Sequence, residues 1–331
     1  MRLVLPVSRI LFVASVVAVF AKVGNLISRL LLGLLVLSGC SAPLKEVRDF
    51  GKASSSFATD GAKGYQLLKD AMADYELSAV AADSTKIATP DVFKGDKDIQ
   101  SIRQSATRQA AVLANVAEYA DALQKFAEAD FKKDIDESAT QLYDSLTGLQ
   151  ATYEKASGAK LNLSGGEIKI LAAAVEGIGV LAADAKRKAA IKQIVMKTNP
   201  AIQQVSKLLA ARFSGYIGPT IEQDLNTVET HMEEDFNNNW KDKSYSQRRE
   251  RLEAIRKQNV FNQGIKPLFV ELSRAAQKMG EAHQGLYEAV SSNKFTSVEF
   301  KEDVDALVQY VKSVKIFYEG LGKSTEKKAE M

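Results

Sequence analysis

The chain has 331 residues and a mass of 36.1 kDa, with 46% hydrophobic and 26% charged residues. That balance excludes wholesale disorder, collagen-like repeats and small disulfide-stapled domains. The formal net charge of +3 is unevenly spread: residues 1–40 hold four of the 44 basic residues (Arg2, Arg9, Lys22, Arg29) and no carboxylate, leaving 40 basic against 41 acidic groups in residues 41–331. A body so close to neutral has no electrostatic drive toward nucleic acid.

Two apolar tracts open the chain, Ile10–Ala21 and Leu30–Leu37, each preceded by basic residues. Both fall short of the roughly 20 residues that a membrane-spanning helix needs. Basic residues, a short apolar run and then small residues are the layout of a secretory signal. The second tract runs into Leu37-Ser38-Gly39-Cys40, which contains the only cysteine of the sequence. This string resembles the lipobox of bacterial lipoproteins and lies directly after the apolar run, where that family has it. The resemblance covers four motif positions and the run before them. It implies transfer of diacylglycerol to the Cys40 thiol, cleavage before Cys40 and acylation of the new amino terminus.

On that reading residues 1–39 are a cleaved signal peptide and residues 40–43 a lipidated end with a short tether. Two or more acyl chains, each contributing about 0.8 kcal/mol per buried CH₂, then hold the protein durably at a bilayer. Ser41 rather than Asp follows the cysteine. By the sorting pattern of the family this implies the outer membrane of a diderm cell, with the body in the periplasm or, alternatively, at the cell surface. The competing reading of Cys40 is a stray or buried cysteine in a transmembrane anchor. Beyond Cys40 there is no cysteine, so the body has neither disulfides nor thiolate metal sites nor a thiol nucleophile.

The body, residues 44–322, reads as helical. Proline occurs after residue 43 only at Pro90, Pro200, Pro219 and Pro267, and long stretches consist of good helix formers. Val47, Phe50, Phe57, Leu68, Met72 and Tyr75 share one face of a helix over 44–80, with Ser54, Gly61 and Gly64 at stripe positions that allow close approach. Thr89-Pro90-Asp91 and Gly95-Asp96 mark a turn-rich joint. From there Ile102, Ala106, Leu113, Val116, Ala120, Leu123, Ala127, Phe131, Ile135, Leu142, Leu146, Leu149 and Tyr153 recur in steps of three, four or seven. That pattern predicts a single rod-like helix over 98–157.

Capping boxes predict three later helix starts: Ser164-Gly165-Gly166-Glu167 and Thr296-Ser297-Val298-Glu299, both with hydrophobic staples, and Ser244-Tyr245-Ser246-Gln247 without one. They divide the remainder into helices over 165–240, 245–292 and 297–321. Pro200 should break or kink the first, as should Gly215, Gly218 and Pro219, while Gly264 and Pro267 should bend the second. Residues 323–331 should be a disordered tail. Hairpin signals for strands are missing apart from Asp60-Gly61 inside a helical pattern. The expected fold class is therefore all-α, an elongated antiparallel bundle of long, coiled-coil-like helices. Such stripes fit an intramolecular bundle and a homo-oligomer equally well.

Signatures of catalysis are weak. The sequence has no Gly-x-Ser-x-Gly elbow, phosphate-binding loop or dinucleotide fingerprint. Of two histidines, His231 precedes Met232-Glu233-Glu234-Asp235 and could contribute to a metal site, although a solvated acidic face explains it better. His283, in Glu281-Ala282-His283-Gln284, is expected at a helix surface or edge. Nothing calls for a cofactor. The most apolar stretch of the body, residues 168–183, could act as a membrane-inserting element but reads better as a buried central helix. Its sixteen residues are short for a span. Two basic runs, Lys186-Arg187-Lys188 and Arg248-Arg249-Glu250-Arg251, could touch anionic lipid or an acidic partner but read better as solvated faces. Asn237-Asn238-Asn239-Trp240 marks a helix end whose lone tryptophan reads equally as a binding residue or a core plug. The resulting expectation is a non-enzymatic, lipid-anchored scaffold or binding module for another envelope protein. The alternatives are a membrane-active protein using 168–183 and a metal-dependent enzyme around His231.

Overall fold

The computed structural model describes residues 42–82, 97–128, 132–161, 163, 180–292 and 298–326. The chain divides into units Met1–Lys45 and Glu46–Met331. Of the first unit only Ala42–Lys45 are described, as the opening turn of a helix, and the account below concerns the second. Cys40, the residues Leu37–Gly39 before it, the capping boxes at Ser164 and Thr296, and residues 168–179 of the apolar stretch lie outside the described residues.

All the described elements are helical. In chain order they are α1 (Ala42–Ala82), α2 (Lys97–Glu128), α3 (Lys132–Ser157), α4 (Val180–Arg212), a π turn (Phe213–Ile217), α5 (Gly218–Asn239), a 3₁₀ turn (Trp240–Asp242), α6 (Tyr245–Ser291) and α7 (Val298–Glu326). The last helix passes the boundary expected at residue 322. The all-α antiparallel bundle forms as the stripes predict, with one correction. The single rod expected over 98–157 is two helices, α2 and α3, which pack antiparallel: Asn115 Nδ2 donates to Thr152 Oγ1 at 3.3 Å, and Lys125 Nζ to Gln141 Oε1 at 3.5 Å. Periodicity reports which face is apolar, not where the chain reverses. The stripe kept its step of three or four across a reversal that carries no Gly or Pro.

Helix α1 packs against several partners at once. Phe50 meets His283 of α6 edge-on, Phe57 meets Phe213 of the π turn, and Tyr318 of α7 donates to the Asp60 carbonyl at 2.8 Å. Its crossing with α2 is tight enough to require a glycine. A Cβ at Gly51 would lie 2.6 Å from the Ala120 carbonyl oxygen, inside any real carbon–oxygen contact.

Helices α4 and α5 form one continuous helical path that runs antiparallel to α6. Ser273 Oγ donates to the Ala210 carbonyl at 3.0 Å, Lys266 pairs with Glu222 at 3.4 Å, and Arg251 with Asp235 at 3.8 Å. The chain stays helical through Pro200 and Pro267. At Pro219, which has no amide hydrogen and whose ring crowds the preceding turn, the path widens instead of breaking. The Gly218 amide bonds the Phe213 carbonyl, five residues back, and this is the π turn. The widened turn presents Phe213, fully buried, to Phe57, Tyr65 and Phe269 with ring centroids 6.5, 5.6 and 6.2 Å away. Aromatic pairs at such distances add to the burial of their area, so the position that looks like a break is a hub of the core.

Candidate functional site

Two polar clusters stand out in the bundle, one around an enclosed histidine in the core and one at the tip of the α5–α6 hairpin. The first centres on His283, expected at a helix surface or edge but without any solvent exposure. Its Nδ1 lies 2.9 Å from Asn199 Oδ1 and its Nε2 2.9 Å from the Tyr119 hydroxyl, which is 3.1 Å from Thr198 Oγ1. Asn199 Nδ2 donates to Gln284 Oε1 at 2.7 Å, and Gln203 Nε2 donates to Asn199 Oδ1 at 3.3 Å and to the Gly280 carbonyl at 2.7 Å.

The bonding pattern assigns the tautomer. Asn199 Oδ1 can only accept, so His283 carries its proton on Nδ1, and Nε2 accepts from Tyr119. Burial pushes the His283 pKa down to about 3, keeping the ring neutral, while it raises that of the Tyr119 hydroxyl, which keeps its proton. Every member has a partner, the condition under which a buried polar network is tolerated. With the imidazole fully enclosed, the arrangement fixes α2, α4 and α6 against one another, while Gln203 and Gln284 at its edge line an open groove shared with Glu299 and Asp303 of α7.

His231 is elsewhere and only half-buried, its Nδ1 hydrogen-bonded to Ser78 Oγ of α1. Asp235 instead faces Arg251, and among the described residues no group of three or more His, Cys, Asp or Glu is placed to hold a metal ion. Arg187, expected on a solvated face, is buried. No described helix is long and apolar enough to cross a membrane.

The second place is the hairpin tip. Ser244 caps α6 as predicted: its Oγ accepts from the Gln247 amide at 3.3 Å, and Gln247 Oε1 accepts from the Ser244 amide at 2.8 Å. From residue 229 to residue 261 no side chain is buried. Trp240, Tyr245 and Leu252 are 43%, 75% and 51% exposed, and Arg248 stacks 5.5 Å from the centre of the Trp240 ring. With Phe236, Arg249, Glu253 and Arg256 they line an open groove of about 500 Å³. In the sequence the lone tryptophan and the arginine run are separate features. Their spacing across the Ser244 cap, which folds Trp240 back onto Arg248, is the signal that joins them.

Comparison with protein-family profiles, with characterised proteins and with solved structures finds no match for this chain.

Proposed function

We propose that the protein is a lipid-anchored component of a bacterial envelope, tethered through Cys40, whose helical body serves as a non-enzymatic scaffold that binds another envelope protein. The lipobox-like Leu37-Ser38-Gly39-Cys40 supports the anchor. The observation that carries the binding role is the hairpin arm over residues 229–261, which buries no side chain while the helices behind it are well packed. Helices with no fully buried side chain are marginal in water, and an arm braced at its base by α1 through Ser78 and His231 and kept helical beyond by a cap and ion pairs is suited to presenting a surface. The alternative is a role for residues 168–183 in perturbing a bilayer, of which residues 168–179 lie outside the described residues.

The test is covalent crosslinking in intact cells followed by mass spectrometry, comparing the wild type with Cys40→Ala. The expected result is a specific envelope protein captured only when Cys40 is intact, together with loss of metabolic fatty-acid labelling in the variant. Capture of this chain alone, or of nothing, would overturn the scaffold reading. Retained labelling in Cys40→Ala would overturn the anchor.

A further inference from the structure

We infer that the groove at the tip of the α5–α6 hairpin is a docking site for an acidic protein segment bearing apolar side chains. The inference rests on the scaffold reading and names its docking face and the chemistry of the partner. Within α6, residues 248–257 hold five basic groups against Glu250 and Glu253. Glu253 is already engaged by Arg249 at 3.1 Å, and the Arg248 guanidinium lies over Trp240. The groove thus pairs exposed apolar surface with unbalanced positive charge, a composition enriched at protein-binding hot spots. Carboxylates of a partner would meet the guanidinium forks of Arg248 and Arg256, and its apolar side chains would cover Trp240 and Leu252.

The charge pattern favours a discrete acidic ligand over an anionic bilayer. Across residues 229–261 seven basic groups are matched by seven acidic ones, including the run Glu233-Glu234-Asp235 beside the groove. The arm therefore has no net field to draw it to a charged membrane, where attraction grows by about 1 kcal/mol per added cation near the surface. Complementarity is local, on the scale of a few side chains.

Trp240 is the only tryptophan, so its fluorescence reports on the groove directly. The experiment selects a displayed library of random peptides against the full-length chain in detergent, then titrates the synthetic consensus peptide while following Trp240 emission. The expected consensus carries net negative charge with aromatic or aliphatic residues. Its binding should shift Trp240 emission to the blue and weaken about tenfold or more in Arg248→Glu and in Arg256→Glu, and it should tighten in Glu253→Lys. Unchanged far-ultraviolet circular dichroism checks that these exposed substitutions leave the helices intact. A consensus without net negative charge, no enrichment, or affinities indifferent to the charge reversals would overturn the assignment. So would a Trp240 shift on phosphatidylglycerol vesicles with none on peptide, in favour of a membrane surface. A Cys40-dependent partner crosslinked elsewhere on the bundle would remove the groove assignment alone, whereas absence of any partner would remove the scaffold with it.

Discussion

Replacing His283 with leucine separates the electrostatic part of the buried network from its packing. The imidazole is fully enclosed and its pKa is pushed from the ordinary 6.5 to about 3 by burial. Between those values the unfolded chain binds a proton that the folded chain refuses, so stability falls as pH falls through that window. The slope is about 1.4 kcal/mol per pH unit from this residue alone, or about 2.7 kcal/mol over two units. At neutral pH His283→Leu should itself cost about 1–3 kcal/mol, because Tyr119 loses an acceptor and Asn199 a donor. The variant has no buried base left to protonate, so its deficit should close as the pH drops from about 6.5 to about 4.5. Urea unfolding of both proteins, followed by circular dichroism across that range, measures the difference with the carboxylate background cancelled. Stability curves that stay parallel would refute the sealed, neutral histidine.

Three further substitutions probe other parts of the bundle. Asp224 has a pKa raised to about 6 by partial burial, so the stability it contributes below the ordinary carboxylate value of 3.8 is lost as pH rises through 6, the opposite sign to His283. Asp224→Asn should stabilise the protein at neutral pH by no more than about 1 kcal/mol, because the site is partly solvated, and should do nothing below pH 3.8; an equal gain at both pH values in urea unfolding would contradict the assignment. Gly51→Ala should destabilise by about 1–3 kcal/mol because its Cβ meets backbone at 2.6 Å, whereas Gly320→Ala, with nothing within 4 Å in α7, should gain up to about 1 kcal/mol of helix propensity. Thermal melts that move in the same direction for both would show that α1 and α2 are not in close contact.

The apolar stripes made the fold class legible, because a 3.6-residue period is written into the choice of side chain at every turn. Connections were harder. The reversal between α2 and α3 lacks the Gly and Pro that usually punctuate a turn, so a continuous stripe looked like one helix. At Pro219, where a break or a kink is expected, strong punctuation produced a widened turn. In both cases neighbouring helices decided the outcome: α3 buries its face on α2, and Phe213 is held by rings from α1 and α6. That information is tertiary and has no local signature.

The buried network has a trace in the sequence, in the heptad seam of α6. Along α6, Asn262, Ile265, Phe269, Leu272, Ala276, Met279, His283, Leu286 and Val290 follow one another in alternating steps of three and four, and all are buried. His283 and Asn262 therefore occupy seam positions of a heptad, where a polar residue fixes register. Asn262 does so by donating to the Leu225 carbonyl at 3.2 Å and to Glu229 Oε2 at 2.6 Å. Extending the same steps backward from Asn262 gives Gln258, Ile255, Arg251 and Arg248, and the seam turns polar at the point where burial ends. The core of the bundle is thus terminated by side-chain choice while the helix continues, because the Ser244 capping box and the Arg251–Asp235 pair sustain it. A chain that needed only a closed bundle could place its turn at Asn262. Continuing the hairpin beyond the last buried residue costs conformational entropy that its half-buried contacts offset only in part, and under the proposed scaffold role a partner would complete that surface.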